Sequence, residues 1–355
     1  MSPYLAVGAL IFISSLMFIL PLVPSLVELR SKSDALPLNV VQQNAGEIRH
    51  FADSFRSYIR ALEPTMRHCS VSGSMARDIL PDGEECVVLG AVDETMVFSL
   101  QQQDSAYAVV IAAVIDLIVP AGVTFSKDIY ARGQFKGGEN NNYRAILGEK
   151  DVHLGPSSHV IRWVHAVGKF TADLGCRLHG RISSDSLISL HTDCSFLRLN
   201  APRIEIGRAT ENGAAPSPNS SLRGSRRPRR FWYDGDFEVK AGQVIPSDIV
   251  VRGNLRIRSG ARICGSVKSA NNIVLEDAVL VEGSLISARK MRIGHRCAVH
   301  GPVVAERELA LATGVRCGTF EHPTTVSAPS IEVSEDVVVF GTLWARERGQ
   351  VVTNL

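Results

Sequence analysis

The chain predicts an all-β fold, a parallel β-helix solenoid, and three observations in its last third carry that prediction. An apolar-x-apolar pair recurs as Phe237/Val239, Leu255/Ile257, Ile273/Leu275, Met291/Ile293, Leu309/Leu311 and Ile331/Val333, stepping by eighteen residues four times and then by twenty-two. That period is too short for a helix-turn-helix repeat, so each unit is one coil of a strand solenoid that buries its apolar face by stacking on its neighbours. Further apolar columns keep register: Ile245, Ile263, Val281, Val299 and Val339, then Ile249, Val267, Leu285, Val303, Phe320 and Leu343. Composition agrees, with 45% hydrophobic but only 6% aromatic residues and 29 glycines in 355 positions, the signature of a Val/Ile/Leu-rich, turn-rich protein.

A small-residue column, Ser247, Gly265, Gly283, Gly301, Gly318 and Gly341, lies between the strand columns. Glycine there lets the backbone turn a corner or adopt positive φ. Two alternating patterns and a corner make a coil of three short sides, and six coils spaced by about 4.8 Å form a rod roughly 25 to 30 Å long. The candidate core is Leu255, Ile257, Ile263, Val267, Ile273, Leu275, Val281, Leu285, Met291, Ile293, Val299, Val303, Leu309 and Leu311. His322 to Thr325 reads as a loop bulging from the ladder.

The signature appears earlier too. Leu117 to Phe135 aligns without a gap on Phe237 to Leu255, sharing Val, Ala, Gly, Asp, Ile, Arg and Gly, so the solenoid is expected to be duplicated. The first copy, 108–207, is ragged: Gly137 to Asn142 is expected to interrupt it as a loop, and later coils show only as Phe170, Leu174, Leu178, Ile188/Leu190 and Ile204/Ile206. The apolar run Ala108 to Pro120 reads as buried strand leading into that copy. Residues 208–230 lack apolar periodicity and end in Arg226, Arg227, Arg229 and Arg230, a basic linker or protruding loop before the second copy at 231–344 and a tail at 345–355. Whether the two copies stack as one rod or stand apart is open.

From Tyr4 to Val27 there is no charged residue, long enough to span a bilayer at 1.5 Å per residue, so residues 4–27 are expected to be a transmembrane anchor. A cleaved signal peptide competes, but no Lys or Arg precedes the run and no Ala-x-Ala site follows it. Arg30, Lys32, Arg49, Arg56 and Arg60 follow the segment, which places the C-terminal bulk in the cytoplasm, at a bacterial inner membrane. Seven scattered cysteines without CxxC or metal-ligand spacing fit a reducing compartment. No metal or cofactor is expected. Over 44–63, Asn44 and Glu47 have capping-box spacing, and Ile48, Phe51, Phe55, Ile59 and Leu62 line one helical face that Pro64 should stop. That amphipathic helix could cap the solenoid end, lie on the membrane or bind a partner.

Ile263-Cys-Gly265-Ser-Val267, Val281-Glu-Gly283-Ser-Leu285 with Met291-Arg-Ile293, and Val299-His-Gly301-Pro-Val303 with Leu309-Ala-Leu311 resemble the repeat core of bactofilins, bacterial polymer-forming cytoskeletal proteins. The resemblance spans Phe237 to Leu343 and extends more weakly over Leu117 to Ile206. It implies a right-handed parallel β-helix that polymerises end to end without nucleotide and scaffolds envelope or polysaccharide machinery. The membrane span, the helical region and the second solenoid depart from the short form common in that family.

A scaffold is the function expected, with the chain itself as the principal partner. A solenoid ends in unpaired strand edges that template another chain's edge, and the coil around Val333 to Leu343 is expected to be free for pairing unless the tail folds back over it. An enzyme is not expected: His165, His179, His191, His295 and His300 fall at unrelated points of the coil, and Asp173, Asp185 and Asp193 read as turn residues. The hexads Ile257/Ile263, Leu275/Val281 and Ile293/Val299 partly fit a left-handed acyltransferase helix, but Ser269, Ser287 and Ala305 weaken that pattern, and right-handedness rests mainly on the resemblance. A net charge of +2 gives no reason to expect nucleic acid, although Arg226, Arg227, Arg229 and Arg230 could touch an anionic surface. The alternative function is a polysaccharide-binding or polysaccharide-processing β-helix on the periplasmic side.

Overall fold

The computed structural model describes residues 8, 13–17, 20, 23, 49–90, 106–207 and 230–353. Sixteen of the 24 residues of the expected anchor, 4–27, lie outside them, as do Asn44, Glu47, Arg226, Arg227 and Arg229. Among the described residues no helix is long and apolar enough to cross a membrane.

Among the described residues the chain forms a parallel β-solenoid of about twelve coils, preceded by helices. In its second half each coil has three short sides, with Phe237↔Leu255↔Ile273↔Met291↔Leu309↔Ile331 stacked in parallel register. The fourteen candidate core residues are each at most 2% exposed. Gly265, Gly283 and Gly301 stack so closely that a Cβ on Gly283 or Gly301 would stand 2.6 Å from backbone of the coil below, so close approach excludes a side chain there. Gly318 and Gly341 instead have positive φ, 76° and 113°. Ser269 and Ser287 point inward and close the corner, each hydroxyl donating to a carbonyl 2.7 Å away on the coil below, Gly253 O and Asn271 O.

Phe320 is a correction. It is 74% exposed, because the 319–323 loop displaces it and Val326 takes the core position above Val303. The first half is also more regular than its sequence suggests. Leu117, Phe135, Val152, Phe170, Ile188 and Ile204 stack in one column at intervals of 18, 17, 18, 18 and 16 residues. Gly137 to Asn142 does not interrupt this ladder; it is an ordinary corner. The buried Asn141 side chain closes it, accepting from Val123 N at 2.7 Å and donating to Pro120 O at 2.7 Å and Tyr143 Oη at 2.8 Å. Leu174 is half exposed and belongs to a turn.

Helix α1 (His50–Ile59) passes through one 3-10 turn into α2 (Glu63–Ser72). Pro64 does not stop the helical region; it sits in the first turn of α2, where a missing N–H costs nothing. Gly73, at φ 64°, ends α2 and leads into a hairpin of β1 (Met75–Ile79) and β2 (Glu85–Leu89), which the sequence pattern did not reveal. The helices do not cap an end. Phe55, Ile59, Leu62 and Met66 pack on Ala112, Tyr130, Ala145, Leu147 and Trp163, the outward residues of successive coils, and so cover a flank.

Candidate self-association surface

The two halves meet at their last coils. Strand β3 (Ser195–Ile206) closes the first half, and across it, running antiparallel, lies the sixteen-residue strand Val337–Val352 that closes the second. Ser195↔Gln350, Leu199↔Leu343 and Ile206↔Val337 mark pairing along all three sides. Asn200 donates to Thr342 Oγ1 at 2.8 Å, and the Arg198 guanidinium stacks over the Trp344 ring at 5.0 Å. Leu199, Ile204, Val339 and Leu343 are all fully buried there. The coil expected to offer a free edge, Val333 to Leu343, is therefore occupied by the chain's own other half, and the tail is part of the closing strand.

This junction reverses the second half. The chain leaves it at Gly207 and re-enters at Arg230 on the opposite end, so the open end of that solenoid is its first coil: β4 (Arg230–Tyr233), β5 (Phe237–Val239) and β6 (Val244–Ile245). Each pairs with the next coil on one side, Phe231↔Ile249, Phe237↔Leu255 and Ile245↔Ile263, and has no second partner among the described strands. Phe231, Tyr233 and Phe237 occupy the columns that hold Ile249, Val251 and Leu255 one coil below. Those three below are at most 1% exposed, whereas Phe231 is 46% and Tyr233 42% exposed.

The inward columns thus end in an aromatic plate. Phe237 packs against Phe231 and Tyr233 at ring-centroid distances of 5.5 and 4.9 Å, and Trp232 and Val244 add exposed apolar surface beside it. Around the plate, Asp236 is held below the usual carboxylate range by hydrogen bonds from the Asn254 backbone and side chain. Arg252 pairs with Asp234 at 3.2 Å. Arg230 begins β4; it is the one residue of the predicted anionic-surface contact that the structure describes.

Several of the histidines and aspartates noted in the sequence have structural partners. His165 Nδ1 is 2.9 Å from Ser183 Oγ and its Nε2 is 3.8 Å from Asp185, which Arg49 also pairs at 2.7 Å. That order resembles a nucleophile, base and acid, but Ser183 and His165 are each 2% exposed and so out of reach of a substrate. His153 Nε2 and His191 Nε2 flank Asp173 at 2.8 and 3.8 Å, His295 Nδ1 lies 3.1 Å from Asp277, and His159 Nε2 lies 3.2 Å from His179 Nδ1. Burial lowers the pKa of His300. Asp193 sits at positive φ, 58°, in a turn. Among the described residues no group of His, Cys, Asp and Glu is arranged to hold a metal. No protein-family model, curated protein or solved structure matches the chain.

Proposed function

We propose that this protein is a membrane-anchored, self-associating scaffold whose contact surface is the Arg230–Ile245 coil. The observation that carries the reading is the aromatic plate of Phe231, Tyr233 and Phe237 at an end whose strand edges are unpaired on one side. A core left open at its last layer gains about 25 cal/mol per Å² of apolar surface when another surface covers it, and an unpaired parallel coil is a template for a second. The occupant is a second copy, because the chain already joins two coil ends in this way at the Ser195–Ile206 junction. Two copies meeting plate to plate form a closed two-fold dimer with a rod twice as long. Longer filaments of the bactofilin kind need the β1 end as well.

The reading extends to the parts outside the described residues. Residues 4–27 hold the rod at the membrane, and the Arg and Lys residues that follow them keep it on the cytoplasmic side. Anchoring raises the effective concentration of the plates, so a weak contact suffices. The two solenoids descend from one repeat block, and the assembled rods position envelope or polysaccharide machinery. The test is sedimentation of the full chain in detergent, comparing wild type with Phe231→Arg and Trp232→Arg, both exposed positions. The wild type should be a dimer and the variants monomers with unchanged circular dichroism. A monomeric wild type at high concentration, or dimeric variants, would refute the plate as the contact.

A further inference from the structure

The junction inside the molecule shows how a coil end of this chain is joined to another. Leu199 and Leu343, both inward and fully buried, face each other there in antiparallel register. Arg198, one residue before Leu199, stands opposite Trp344, one residue after Leu343, and its guanidinium lies over the ring at 5.0 Å. The Arg comes from one half of the molecule and the Trp from the other.

Strand β4 carries both side chains on a single strand. Phe231 heads the inward column that ends in Leu343, and Trp232 heads the outward column that ends in Trp344. Arg230 precedes Phe231 as Arg198 precedes Leu199. At the free end this set is uncovered, with Trp232 60% exposed. The backbone suits the same kind of pairing. Arg252 N donates to Tyr233 O at 3.0 Å and Gly253 N to Gly235 O at 2.9 Å, so those carbonyls point to the coil below. Alternation along the strand turns Phe231 the same way and leaves the N–H and C=O of Arg230 and Trp232 at the open edge.

We infer that β4 pairs antiparallel with β4 of a second copy about an axis through Phe231, so that Arg230 of each copy stacks on Trp232 of the other. The inference rests on the plate as the contact and supplies its register and its specificity. Arg230 and Trp232 then exchange both backbone N–H···O bonds across the axis, and the cation–π contact of the junction is made twice. A register centred on Trp232 would use the same free backbone groups but set Arg230 against Asp234, which already pairs with Arg252 at 3.2 Å. It would also move the two Phe231 rings out of line with each other, whereas the junction sets its inward Leu199 and Leu343 face to face. Because β4 is its own complement, the contact closes on two copies.

The test is the dimer dissociation constant of the full chain in detergent, from sedimentation, with circular dichroism unchanged throughout. Arg230→Met should raise it about tenfold or more, the weight of two cation–π contacts. Asp234→Ala should leave it within about threefold, as an exposed ion pair outside the contact would. Trp232→Arg, monomeric alone, should be drawn into a heterodimer by Arg230→Trp, since the mixture restores Arg against Trp at both places. A wild-type dimer that Phe231→Arg breaks but Arg230→Met leaves unchanged would keep the plate and overturn the register. So would a greater loss from Asp234→Ala than from Arg230→Met, or a Trp232→Arg that stays monomeric in the mixture. A monomeric wild type would overturn both.

Discussion

The ring of Phe196 fills the space where a Cβ on Gly349 would stand, with ring carbons 2.4 to 2.7 Å from that position. The two residues face each other in antiparallel register, one from each half of the molecule. Gly349 is thus a glycine for want of room rather than for its φ. Gly349→Val should overpack the junction and cost roughly 1 to 3 kcal/mol. Thermal unfolding should show the loss, and Phe196→Leu should restore part of it in the double variant. An unchanged melting temperature for the single variant would place the junction elsewhere.

Two apolar residues that look equivalent in sequence should behave oppositely. Val303 is fully buried against Val326, whereas Phe320 is 74% exposed. Val303→Asp buries an unpaired carboxylate and should prevent folding. Phe320→Arg should change stability by no more than about 0.5 kcal/mol. Urea unfolding of Phe320→Arg and the soluble yield of Val303→Asp separate the two.

Acid should destabilise the solenoid from about neutrality downward. His165 is pulled below 6.5 chiefly by burial, opposed by Asp185 and Asp53 and reinforced by the Arg56 and Arg49 cations; burial also lowers His159 and His300. These groups resist a proton in the folded state, so the unfolded chain takes it first as pH falls through 6.5. Stability present above that pH is lost below it. Urea midpoints between about pH 8 and pH 5 should fall more steeply for wild type than for His165→Gln; equal slopes would discount His165.

The thiols should be silent in the native protein. All seven cysteines are free, and burial pushes Cys86 and Cys317 up to about 12 and Cys297 up to about 11. Only the thiolate reacts. Titration with a thiol-specific disulfide reagent should therefore label at most the half-buried Cys264 quickly, and all seven after denaturation. Rapid native labelling of several would contradict the packing.

The eighteen-residue ladder was legible because every coil repeats the same inward pair, and stacking forces those pairs into columns. Phe320 misled because a loop moved an apolar residue out of its column while Val326, six residues later, replaced it. The junction was illegible for a different reason. In the closing strand the inward position opposite Phe196 is Gly349, without a side chain because Phe196 supplies the volume from the other half. A local pattern cannot carry a complementarity between residues about 150 positions apart. The plate at Phe231 was hidden in the ladder itself, since its residues read as one more coil until the reversed direction made that coil the last.

The closing strand Val337–Val352 also sets an order on how the molecule can be finished. Both solenoids end on it, so until it is in place each presents a bare coil face. A ribosome must pass every other described strand before it delivers the piece that seals either. Premature termination within the second solenoid, before Val337, leaves the last coil of each half uncovered in one polypeptide, and such fragments would glue to each other rather than remain as inert stubs.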